Sequence, residues 1–113
     1  MTKLLYLVTS GDDAPQKFDL AINTALHMIE NKRFEDIKLL FLGPSEATLA
    51  KATGQRKEII NKLINLGAID SACVAFAKNM GIENELKLLG VNQEPYGARL
   101  KYYLENGYHV VSF

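Results

Sequence analysis

Strand-like runs alternating with helix-spaced segments constrain this chain more than anything else in it. Leu4–Val8 (LLYLV) is continuously apolar, as a strand covered on both faces requires. Thr9-Ser10-Gly11-Asp12-Asp13 then turns the chain. Asp13 offers a helix cap, with Pro15 in the first turn and Gln16 three residues on to complete a capping box. From Gln16 to Asn31, the residues Phe18, Ile22, Ala25, Leu26 and Ile29 recur at helical spacing, and His27 lies one position outside that stripe. Asp36–Leu42 (DIKLLFL) is a second strand, ended by Gly43-Pro44. Ser45 caps a helix through Thr53, which Gly54 breaks. The helix resumes with Ile59, Ile60, Leu63 and Ile64 inward and closes at Gly67. Lys51, Arg56, Lys57 and Lys62 form its solvated outer side.

The third strand, Ala68–Ala72, runs straight into a helix that ends at Gly81, which leaves Cys73 at the junction. Asn84–Leu89 allows a short helical turn before Gly90. Val91–Glu94 is a fourth strand by alternation of elements more than by residue type, since Asn and Gln have little β preference. Pro95-Tyr96-Gly97 precedes a helix over Ala98–Asn106 with Leu100 and Leu104 inward and Gly107 as its stop. Tyr108–Phe113 closes the chain as a fifth strand. Together these predict a three-layer α/β/α sandwich with a mainly parallel five-stranded sheet, one domain over residues 1–113. Its carboxyl edge, where such sheets keep their ligands, gathers Ser10–Asp13, Gly43–Ser45, Cys73 and Pro95–Gly97.

Composition removes several classes of function. Thirteen basic residues balance thirteen acidic ones, so no global field draws nucleic acid or an anionic membrane. The single cysteine cannot form an internal disulfide and fits a reducing compartment. The opening apolar run is too short for a signal peptide or a membrane span, which predicts a cytoplasmic protein.

The carboxyl edge narrows the chemistry by subtraction. Two adjacent carboxylates, Asp12 and Asp13, would repel the phosphate of FMN. A receiver domain needs an aspartate where this chain has Cys73, and a lysine near the last strand, where it has none. A Cys–His hydrolase needs an imidazole near the thiol. His109 lies at the start of its strand, roughly 15 Å from the far edge at about 3.3 Å per residue, and His27 sits in the body of a helix. One Cys and two scattered His match no metal-ligand spacing, so no metal and no cofactor are expected. A dithiol cycle lacks its second thiol. What remains for one thiol at a helix start is to carry a group covalently, and sulfur is the simplest cargo. The N–H groups of Ala75 and Phe76 are unpaired there and favour the thiolate, the reactive form. The competing reading is a small buried apolar residue.

These segments resemble the DsrE/DsrF-like family, which includes the sulfur-relay subunits of the Tus and Dsr systems. KLLYLVTSGDD is similar to that family's opening strand and loop, FDLAINTALHMIENK to its first helix, and IKLLFLGPSEATLAK to its second strand and Gly-led helix. IDSACVAFAKNMGI is similar to its cysteine-bearing strand, and GYHVVSF to its closing strand. The resemblance implies a homotrimer or homohexamer with Cys73 as persulfide carrier, a sulfurtransferase-like role. Its partner would be a small sulfur-carrier protein of the TusA or DsrC kind. Ser10, Gly11 and Tyr96 would line the mouth, and Arg99 would supply a nearby positive charge. Asp12 and Asp13, standing near Cys73, would oppose its ionisation. The alternative is a non-enzymatic oligomeric module that binds a ligand or partner, with Cys73 structural.

Overall fold

The computed structural model describes all residues, Met1–Phe113. Its elements follow in the order β1 (Lys3–Val8), α1 (Pro15–Glu30), β2 (Asp36–Phe41), α2 (Pro44–Ala50), α3 (Gly54–Asn65), β3 (Ile69–Cys73), α4 (Val74–Met80), α5 (Glu83–Leu89), β4 (Gln93–Glu94), α6 (Tyr96–Glu105) and β5 (Tyr108–Ser112). All strand pairs are parallel, and the sheet order is β4-β3-β2-β1-β5. No helix is long and apolar enough to cross a membrane.

That order dictates the layers. From β1 to β4 the chain steps always in one direction, so right-handed crossovers place α1 to α5 on one face. Only the last connection returns past β1, and it puts α6 alone on the other. Side chains alternate along each strand, so the two faces collect different residues. Leu4, Tyr6 and Val8 join Phe18, Ile22, Leu39, Phe41, Leu63 and Leu86 in a buried cluster of 19 residues. Leu5 and Leu40 face the other way and meet Tyr103 in a buried cluster of three. The five-helix side is therefore the main core.

Several local expectations are corrected. Asp13 does not cap α1. Its Oδ1 accepts the Gly11 N–H at 2.8 Å, and Ala14 takes the cap position without a side-chain bond. Ser45 lies inside α2 rather than at its cap, its Oγ donating to the Val8 carbonyl at 2.6 Å. Gly43 caps that helix with φ 77°, a left-handed conformation that suits glycine. The third strand runs one residue later than read, because a register shift between Leu39 and Leu40 inserts Asp70 as an extra residue opposite β2.

That bulge explains a further correction. Asp70 accepts from Arg99 Nε at 3.0 Å, Arg99 Nη2 at 2.7 Å and the Tyr103 hydroxyl at 2.6 Å. Arg99 and Tyr103 are four residues apart and so share one face of α6. Their clamp sets the rotation of the helix, which buries Tyr103 and leaves Leu104, expected inward, 51% exposed.

Candidate functional site

Cys73 ends β3 and caps α4, with its thiol free. Ala72 belongs to the main core, so alternation turns Cys73 to the α6 side of the sheet, and it joins neither apolar cluster. The residue is 7% exposed. Glu94 is its register partner on β4, and Tyr96 opens α6 two residues further on, half-buried.

A carboxyl group stands at the same junction. Glu46 is the third residue of α2, and the helix start is closed reciprocally. The Glu46 N–H donates to the Gly43 carbonyl at 2.9 Å, and the Gly43 N–H donates to Glu46 Oε2 at 3.0 Å. The side chain is 0% exposed, and Oε1 has no hydrogen-bond partner. The Ala72 N–H donates to the carbonyl of Asn92, just before β4, so strand alternation turns the Cys73 N–H toward the β2 side, where α2 and Glu46 begin. Burial pushes the Glu46 carboxyl up to about 7, opposed in smaller measure by the Gly43 and Cys73 amides. Glu46 went unread in the sequence. The available signal was its place three residues after Gly43 in GPSE, where a capping glutamate belongs.

The other residues of the carboxyl edge are placed differently from expectation. Arg99 is not a free cation at the thiol; its guanidinium is committed to Asp70 and lies over the rings of Tyr102 and Tyr103. Gly11 does not line an opening. A Cβ there would stand 2.3 Å from the Pro44 carbonyl oxygen and 2.5 Å from Thr48 Oγ1, so the glycine lets the loop press on α2. Thr9 and Ser10 donate backbone N–H groups to the Phe113 carbonyl, which ties this loop to the β5 end of the sheet. Two strand positions separate β1 from β3, and Asp13 is engaged with the Gly11 N–H. Asp12 pairs with Lys51 at 2.5 Å. Of the expected lining residues, only Tyr96 stands beside the strand that pairs with Cys73.

The basic row is likewise not a simple solvated face. Arg56 donates from Nε and Nη2 to Asp19 at 2.8 and 3.0 Å and lies over Phe18. These residues border the largest surface cleft, about 590 Å³, lined by Asp12, Asp19, Lys51 and Arg56 among others, and Cys73 does not line it. His27 is exposed on α1, bonded through its carbonyl to Asn31, and His109 pairs with Leu4 at the amino edge. Neither imidazole therefore stands at the junction, and the carboxyl there, Glu46, meets the backbone amide of Cys73.

The fold and edge define an α/β protein with an all-parallel five-stranded sheet and a cysteine at a strand-to-helix junction. No family model and no curated protein matches the chain. Solved structures do share its fold. BT1422 from Bacteroides thetaiotaomicron, described as a conserved protein of unknown function, aligns with a TM-score of 0.78 at 23% sequence identity, over 96% of this chain and 94% of its own. The YchN protein of E. coli aligns with a TM-score of 0.77 at 14% identity, over 100% of both chains. Likeness at these identities establishes the fold and leaves function to the site.

Proposed function

We propose that this chain is a DsrE/DsrF-like sulfur-relay protein in which Cys73 carries a persulfide. The observation that supports the reading is the place of the sole thiol, where β3 runs without a turn into α4 at the carboxyl edge of the sheet. In the reaction, the Cys73 thiolate attacks the outer sulfur of a donor persulfide. The donor's S–S bond breaks, the donor leaves as a thiolate, and a new S–S bond forms on Cys73. The chain works as a homotrimer or homohexamer in the cytoplasm and passes its sulfur to a small carrier protein. Intact-mass spectrometry after incubation with a persulfide donor tests this. The wild type should gain the mass of one sulfur, and Cys73→Ser, folded by circular dichroism, should gain none. An equal gain in the variant, or none in the wild type, contradicts the proposal.

A second reading is favoured by one observation, the 7% exposure of Cys73. On it the chain is a non-enzymatic oligomeric module and the thiol is packing. Labelling of Cys73 only after denaturation would decide for this reading.

A further inference from the structure

We propose that α2 is a pH-sensitive latch on the carboxyl edge of the sheet, closed while the Glu46 side chain is neutral and loosened as it ionises. Its construction sets it apart from the other helices. The chain buries four polar residues, and three of them, Ser45, Glu46 and Thr48, lie in these seven residues beside one buried apolar residue, Leu49. The helices packed against α2 add little apolar grip, since α4 buries only Ala77 and α5 only Leu86.

Hydrogen bonds tie α2 to the strand ends instead. Ser45 Oγ donates to the Val8 carbonyl at 2.6 Å, and the Ser45 N–H donates to the Thr9 carbonyl at 3.0 Å. The Gly43 N–H donates to Glu46 Oε2 at 3.0 Å. Gly43 at φ 77° and Gly54 at φ 60° flank the helix and supply its hinges. An element with so few buried apolar contacts opens at lower cost than the sheet it covers.

Glu46 makes that opening depend on pH. Capping does not call for an acid, because the amide oxygen of a glutamine would accept the Gly43 N–H equally well. The chain instead buries an ionisable group completely and leaves Oε1 without a partner. Closed, the carboxyl resists ionisation, pushed up to about 7 by burial. Open to water, it returns to the ordinary value of 4.5. The closed helix therefore holds a proton that the open one releases between those values, and rising pH favours opening. No charged group on the surrounding elements contributes: Asp12 and Asp13 on the first loop, Asp70 on β3, Lys78 on α4, or Glu83, Glu85 and Lys87 on α5. Lys51, on α2 itself, is paired with Asp12, and Arg56 on α3 with Asp19. Opening frees the Thr9 carbonyl and uncovers the ends of β1 and β2, whatever Cys73 carries.

The test is native-state hydrogen exchange, read by NMR between pH 5 and 8 and corrected for the intrinsic pH dependence of exchange. Protection of the Gly43 and Ser45 amides should fall about 50- to 100-fold over that range in the wild type and change less than about threefold in Glu46→Gln. At pH 8 both should exchange faster than the amides of Leu5 and Leu39 in the central strands. Level protection in the wild type, the same fall in the variant, or α2 amides as slow as the strands would overturn the proposal. Should Glu46→Gln not fold, carbon-detected NMR of the wild-type carboxyls replaces it. One glutamate should titrate near pH 7 in step with the loss of protection, and a set titrating wholly below pH 5.5 overturns the proposal.

Discussion

Glu46 is a costly residue to keep. An unfolded glutamate ionises near 4.5 and the folded one at about 7, so the native state holds the extra proton between those values. Stability therefore falls as pH rises from about 4.5 to 7 and is level above, where the full cost stands, on the order of 3 kcal/mol. Glu46→Gln, which keeps the acceptor for the Gly43 N–H, should be more stable than the wild type at pH 8 by up to about 3 kcal/mol. The two should match near pH 4. Urea unfolding at the two pH values measures this, and a variant less stable at pH 8 would contradict it. Gly11 makes the opposite kind of demand. Gly11→Ala drives a methyl into the Pro44 carbonyl and Thr48, both fixed in α2, and should cost about 1–3 kcal/mol in the same assay.

The elements divide into those held by apolar burial and one held by a polar clamp. Helices α1 and α3 bury apolar stripes in the main core and α5 adds Leu86, whereas α6 buries one residue, Tyr103, on the other face and is anchored by Asp70. Burial raises the Asp70 carboxyl, but the hydrogen bonds from Arg99, Tyr103 and Ser71 outweigh it and hold the group below its ordinary value. A lowered folded-state value gives stability that is whole above the unfolded value of 3.8 and is lost as pH falls through the folded one. Asp70→Asn should cost about 1–3 kcal/mol at pH 7, discounted because Arg99 is partly exposed, and should lose less than the wild type on acidification from pH 5 to 2. Thermal unfolding across that range checks both.

The clamp also shows what a one-dimensional reading misses. Helical spacing set the apolar positions of α1 correctly, because its packing partner is a uniform sheet face. In α6 the same reasoning chose Leu104, since nothing local reveals that a bulge 34 residues earlier would turn Arg99 and Tyr103 inward. The Cys73 junction was legible from a strand running without a turn into a helix. Its carboxyl neighbour was not, because Glu46 comes from another element, and a glutamate in a helix is normally a surface residue.

At the scale of the molecule, the sheet is asymmetrically covered. Five helices close one face, and α6 alone lies on the other. Val110 pairs with Leu5 and so shares that second face, yet is 41% exposed, with Tyr102 and Leu104 exposed on the neighbouring helix. Apolar surface gathered on one incompletely covered face suits self-association. Sedimentation equilibrium should give a trimer or hexamer for the wild type, and Val110→Glu should reduce it to monomer. A monomeric wild type at micromolar concentration would remove the assembly from the account.

The central claim is that the Cys73 sulfur reacts in the folded chain, and counting thiols before and after denaturation tests it most directly. The account predicts that one thiol per chain is modified by an alkylating reagent at pH 8 without denaturant, with circular dichroism unchanged. No modification until the chain is unfolded, at any assembly state, would contradict it.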